Sequence, residues 1–177
     1  MLPAHSQCLG FLKEVKMLDN IFEHSLQVNK VAVFLAKKIK SNGNKVDVDL
    51  VDCGSLLHDI DKHLTFESGN HGQVGKKFLS EKGFPQVAEF CITHNMNFIL
   101  DGVFPSLEHK IVYYADKRVN GNQVVSLQER FEYIRERYGS RSKDILQKIL
   151  LCEKPLFELE NELLKLAKVD SSLRGLK

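Results

Sequence analysis

Residues 47–62, DVDLVDCGSLLHDIDK, set the architecture of this 177-residue chain. Asp47 or Asp49 can offer a carboxylate to the first free amides of a helix, and Leu50, Val51, Cys53, Leu56 and Leu57 then follow with little polar relief. A helix this apolar belongs in the middle of a bundle, and it ends near His58 and Asp59. Upstream, Val28, Val31, Leu35 and Ile39 step by three or four through a helix over 21–40, until Ser41, Asn42, Gly43 and Asn44 stop it. Downstream, a helix is expected over 71–82 with Val74, Phe78 and Leu79 inward and Gly83 ending it. Another is expected over 85–95, with Pro85 in its first turn and Val87, Phe90 and Cys91 on its face. Asp101, Gly102 and Pro105 mark a loop, and Ser106 opens a helix through Ile111, Val112, Tyr113 and Ala115. Ser126 with Glu129 reads as a capping box for a helix through Phe131, Ile134 and Tyr138, and the last helical stretch, 142–168, is interrupted at Pro155.

Few period-two runs appear, so the expectation is an all-α, single-domain bundle of about seven or eight helices. Residues 1–140 would form the main domain, and 141–177 a C-terminal helical extension packed on the same core. The row Leu156, Leu159, Leu163 and Leu166 fits either that packing or a partner surface such as a homodimer would use.

Composition bounds what such a bundle can do. Lys plus Arg number 25 against 23 Asp plus Glu, a formal charge of +2, and 43% of residues are hydrophobic. That is enough apolar side chain for a core, and the balance of sign lacks the basic stripe of a dedicated nucleic-acid binder. No basic segment followed by an apolar run opens the chain, and no stretch approaches the roughly 18 to 20 apolar residues of a membrane span. Cys8, Cys53, Cys91 and Cys152 stand far apart without a C-x-x-C pair, which reads as four reduced cysteines, with Cys53 and Cys91 in the core. A cytoplasmic protein is expected.

Seven His remain to be explained. His24 shares a helical stripe with Val28 and Val31, His94 with Phe90 and Cys91, His71 with Val74 and Phe78, and Asp116 with Val112 and Tyr113. His58 and Asp59 close the most apolar helix. Four His and two Asp aimed inward are costly unless something holds them, since a buried ionised carboxylate needs a partner and few inward Lys or Arg are in view. A shared metal centre meets that need. Imidazole and carboxylate without thiolate point to iron before manganese, zinc, cobalt or nickel, and six donors match two ions with open positions better than one tetrahedral zinc. Such a pocket is left positive and attracts an anion.

These residues resemble the HD-domain metal-dependent phosphohydrolase superfamily. The likeness rests on His58-Asp59 within His58-Asp59-Ile60-Asp61-Lys62, the upstream His24, the later His71 and His94, and Asp116 in Tyr114-Ala115-Asp116-Lys117, in the family's order. It implies that His24, His58, Asp59 and Asp116 bind one metal, that His71 and His94 hold a second, and that Asp59 bridges the two. A looser likeness to bacterial symmetrical diadenosine tetraphosphate hydrolases departs at His94-Asn95, where those proteins often carry His-Thr. The cyclic-di-nucleotide phosphodiesterase type differs more, because neither its His-His pair nor its Gly-Tyr-Pro motif is present.

The implied reaction is hydrolysis of a phosphoester or phosphoanhydride bond in a small nucleotide-like molecule by a water activated between the ions, with Asp59 and Lys62 as the catalytic residues. Lys62, one turn after Asp59, would hold a phosphate or neutralise the leaving oxyanion, and Arg118 would fork a distal phosphate. Asp61 is a candidate acceptor behind the ligands, His63 is expected outside the metal shell, and His5 and His109 are expected in solvent. The segment 97–106 reads mostly as a loop able to cover the site. Two other classes stay open: a diiron HD-type oxygenase and a non-catalytic metal- or nucleotide-binding module. The expected partner is the small phosphorylated substrate, with no specific nucleic acid and no membrane.

Overall fold

The computed structural model describes residues 1–66, 69–101, 103–139 and 142–176. Its helices are α1 His5–Glu14, α2 Asp19–Ser41, α3 Val48–Leu57, α4 Gln73–Glu81, the single turns α5 Pro85–Ala88, α6 Phe90–Thr93 and α7 Phe98–Asp101, then α8 Leu107–Lys117, α9 Leu127–Ile134 and α10 Lys143–Ala167. A two-residue antiparallel hairpin, β1 Val119–Asn120 and β2 Gln123–Val124, joins α8 to α9, and pairs Val119 with Val124. Among the described residues the fold is all-α apart from that hairpin.

The apolar helix lies where its composition demands. Asp47 caps α3 by accepting from the amides of Asp49 and Leu50, and Val51, Leu56 and Leu57 are wholly buried among α1, α2 and α8. Each such side chain stabilises the fold by about 1.5–3 kcal/mol. Val28, Val31, Leu35 and Ile39 form the facing stripe of α2, and that helix stops at Asn42, followed by Gly43 with φ 90°. The capping box Ser126–Glu129 closes the start of α9.

Several expectations change. Residues 5–14, for which the sequence pattern predicted no element, form α1 and bury Cys8, Phe11 and Leu12 on the core. Val74 is exposed rather than inward, because α4 begins at Gln73 and turns Gly75 and Leu79 to the interior instead. The helix expected over 85–95 bends at Glu89 into α5 and α6, which lays the Phe90 ring over Gly54 of α3, where an added Cβ would stand 2.7 Å from it. Segment 97–106 holds the turn α7, while Gly102, read as a loop marker, lies outside the described residues.

Pro155 does not interrupt the last helix. Its ring removes an amide donor and crowds Leu151, but Leu151 is 55% exposed, so the freed carbonyl can meet water. Cys152 and Leu156, both wholly buried on either side of Pro155, keep the axis seated. The Leu row belongs to this packing: Leu156, Leu159 and Leu163 are buried against the core, and Leu166 is half-buried. All four cysteines are free and buried, and no helix among the described residues is long and apolar enough to cross a membrane.

Candidate metal centre

Four imidazoles approach one point, and each is held by its Nδ1. His24 on α2 donates to the carbonyl of Gly121 in the hairpin turn at 2.8 Å, and His58, which caps α3, donates to Ser55 O at 2.7 Å. His94, which caps α6, donates to Phe90 O at 3.0 Å; His71, in the turn before α4, donates to Asp61 Oδ1 at 2.9 Å. Carbonyls and carboxylates only accept, so each Nδ1 carries the ring proton, and in the neutral rings all four Nε2 lone pairs turn to the centre.

The His71 support is itself built. Asp61 Oδ2 accepts from the amides of Gly72 and Gly75, each at 2.8 Å. Gly72 has φ 88°, and a Cβ there would lie 2.2 Å from the Cys91 carbonyl, so only glycine brings that amide in.

Asp59 stands between the imidazoles. Its Oδ1 is 3.1 Å from His71 Nε2 and 3.2 Å from His94 Nε2; its Oδ2 is 3.5 Å from His58 Nε2 and 3.9 Å from His24 Nε2. Asp116, on α8, brings Oδ1 to 3.0 Å from His24 Nε2 and 3.7 Å from His58 Nε2. Two donor triads result, His24 with His58 and Asp59, and Asp59 with His71 and His94, each with its donor atoms within 4.8 Å of one another.

Protein groups alone leave this centre unsatisfied. With the rings neutral, the Nε2 atoms of His71 and His94 meet at 2.9 Å with no proton between them, and His58 Nε2 and Asp59 Oδ1 are buried without a hydrogen-bond partner among the described residues. A divalent cation accepts electron pairs from imidazole nitrogen and carboxylate oxygen alike, and the donor set fits one.

Charge alone is a weaker argument than the sequence suggested. Lys62 Nζ lies 2.6 Å from Asp59 Oδ2, and Lys117 is buried with Nζ 2.5 Å from Asp116 Oδ2 and 2.7 Å from His94 O. Burial raises the pKa of the Asp59 carboxyl, but Lys62 and the imidazoles outweigh it and hold the group well below the usual range; Lys117 and His24 do the same for Asp116. Burial would lower His71, yet its contacts with Asp59 and Asp61 push it up to about 9, whereas the more deeply buried His94 is driven down. Burial also opposes the Lys62 charge, and Asp59 more than offsets it, so that ammonium stays protonated.

The structure therefore brings His24, His58, Asp59, His71, His94 and Asp116 together, with Lys62 beside them. Arg118 is a correction. Its guanidinium is 3% exposed and is spent on Val125 O, the Tyr114 hydroxyl, Glu160 and Ser171 O, so it ties α8 to α10 and the tail rather than facing a phosphate. His109 is likewise not in solvent: it is buried and stacks on Phe90 at 4.1 Å. His63 donates to Val15 O, and the exposed His5 pairs with Asp52. The cations that do reach the open side, Arg130 and Arg137, line a cavity of about 220 Å³ together with His24 and Lys62. Their seven-residue spacing behind the Ser126 cap was the signal that could have found them.

The family profile for the HD domain matches residues 21–121. Uncharacterized protein MJ0778 of Methanocaldococcus jannaschii is 36% identical over 82% of this chain and 92% of that protein. A tRNA (cytidine(56)-2'-O)-methyltransferase of Thermoplasma volcanium is 27% identical over 73% of this chain, and ribonuclease Y of Fusobacterium nucleatum is 32% identical over 66% of it. The match spans only 40% of the methyltransferase and 22% of the ribonuclease. No solved structure matches the chain.

Proposed function

This chain belongs to the HD domain family, and from that premise we propose that it is a metal-dependent phosphohydrolase cleaving a phosphoester or phosphoanhydride bond in a small nucleotide-like molecule. The observation that carries the reading is the convergence of four Nε2 lone pairs on Asp59, each aimed by a fixed Nδ1 proton. In this reading His24, His58, Asp59 and Asp116 would hold one ion and Asp59, His71 and His94 a second, with iron the first candidate before manganese, zinc, cobalt or nickel. Ions held there supply Lewis acidity for water and for phosphoryl oxygens. The likeness to part of a ribonuclease supports cleavage at phosphorus.

The protein's own groups do the rest. Lys62, 40% exposed and kept protonated by Asp59, presents an ammonium to a phosphoryl oxygen or to the leaving oxyanion. Asp61 keeps the His71 proton on Nδ1, so Nε2 stays a donor of its lone pair. Lys117 neutralises Asp116 from behind and ties the His94 turn to α8, which limits drift between the two triads.

The test is elemental analysis of anaerobically purified protein, followed by phosphate release from a panel of phosphorylated nucleotides with the recovered metal restored. Bound transition metal and turnover that Asp59→Ala abolishes are expected. Protein without metal, and without turnover on any metal supplied, overturns the proposal. Oxygen consumption without phosphate release would favour the diiron oxygenase instead.

A further inference from the structure

The cavity that opens beside His24 and Lys62 adjoins a second one. This second cavity, of about 390 Å³, shares Arg130 and Tyr138 with it and reaches inward past Lys117 to α10. The two differ in chemistry. The first is walled by Lys62, Arg130 and Arg137 and opens onto the metal centre through His24. The second is walled mainly by Met96, Ile134, Tyr138, Ile145 and Ile149, with the Asn97 amide and the Lys148 ammonium among its few polar groups. Its volume falls in the range of ligand pockets, and apolar walls with a few polar groups are their usual lining.

Arg130 stands at the junction. Its Nη1 donates to Asn120 Oδ1 at 2.9 Å, while its Nε is buried with no hydrogen-bond partner. Lys62, Arg130 and Arg137 thus put three cations on one side of an apolar slot. In a chain of net charge +2, that is a local concentration of positive charge. An occupant that fits both cavities carries a phosphate at one end and a flat, largely apolar ring with a polar edge at the other.

We propose that this two-part cavity is a nucleoside phosphate site, in which Arg130 and Arg137 hold the phosphate beside the metal centre and the slot between α9 and α10 takes the base, with Asn97 at its edge. The proposal rests on the phosphohydrolase reading for the position of the phosphate, and adds the residues that select the substrate. These residues lie on α9 and α10 and in the turns beside α7 and α9, not among the His and Asp of the centre. Arg130 and Arg137 offer planar donors to phosphate oxygens, and a base against Tyr138 and Ile134 buries its faces.

The experiment compares equilibrium binding of AMP, ribose 5-phosphate and a short single-stranded oligoribonucleotide to the metal-containing protein, beside hydrolysis of a generic phosphoester. AMP should bind about 10- to 100-fold tighter than ribose 5-phosphate, the worth of one stacked base. That ratio should fall toward one in both Ile145→Asp and Ile145→Trp, which spoil or fill the slot at a residue already 39% exposed. Because the ratio is taken within each variant, a general loss of fold does not imitate it. Arg137→Met should weaken both ligands about tenfold while preserving their ratio. Equal binding of AMP and ribose 5-phosphate, or a ratio that survives both Ile145 variants, overturns the proposal, as does an oligoribonucleotide that binds tighter than AMP. Generic hydrolysis without base discrimination would sink this site and leave the phosphohydrolase standing. Discrimination without hydrolysis would do the reverse.

Discussion

Replacing Asp61 by Asn tests how the second triad is held. Asp61 accepts three hydrogen bonds, from His71 Nδ1 at 2.9 Å and from the amides of Gly72 and Gly75 at 2.8 Å. Asn has one oxygen. If that oxygen serves the two glycine amides, its NH2 faces His71 Nδ1, and the opposite rotamer costs the amides about 1–3 kcal/mol each. The first arrangement wins, and it forces the ring proton from Nδ1 to Nε2. There it can bond to Asp59 Oδ1, 3.1 Å away, so the fold keeps its hydrogen bonds while the ring loses the lone pair it offered. Losing such support typically lowers metal affinity 10- to 100-fold, about 1.4–2.7 kcal/mol. Competition with a chelating dye, read against metal per chain, should show one equivalent weakened by that factor and the equivalent at His24, His58 and Asp116 within about threefold of the parent. The thermal midpoint of the metal-stripped protein should move little above pH 9, where the His71 ring is neutral. If Asp61→Asn binds both equivalents as the parent does, the argument from the fixed Nδ1 proton is wrong.

Asp59→Ala should lose both equivalents of metal, while Lys62→Met should keep them and lose turnover by about 10²-fold, which elemental analysis and kcat together resolve. In metal-stripped protein, His71 is raised from its ordinary 6.5 to about 9, so its contribution is fully present below pH 6.5 and is lost as pH rises through 9. The unfolding free energy from urea titration should therefore fall over that window by an amount on the order of 1–3 kcal/mol, and His71→Gln should flatten the profile. With metal bound the slope should reverse, because the metal takes the ring without that proton. Arg118→Met should cost about 3–5 kcal/mol in urea unfolding by leaving Glu160 buried and unpaired, with metal content unchanged.

Much of the fold was legible because its main helices are local statements. The stripes of α2 and α8, the Asp47 cap and the Ser126–Glu129 box each depend on residues within one or two turns of one another. Legibility failed where a distant surface outvoted local rules. Pro155 was read as an interruption, and buried Cys152 and Leu156 carry the helix through it. Phe90 bends a helix read as continuous because its ring needs the bare backbone of Gly54.

The site divides in the same way. Side-chain chemistry and helical phase determined which six residues would be buried together, since a His or Asp on an apolar stripe has nowhere else to point, and the motif order said what they resemble. Tertiary structure alone decided the partners behind them. Gly121 lies 97 residues from His24, Asp61 is offered to His71 across a turn that requires Gly72, and Lys117 meets Asp116 and the His94 carbonyl together. The same separation misplaced Arg118, whose position after Asp116 suggested a phosphate contact, while Arg130 and Arg137 came to the cavity from another helix segment. A residue's type and phase limit the chemistry it can do, but hydrogen bonds act over about 3 Å, and only the folded chain brings such partners within reach.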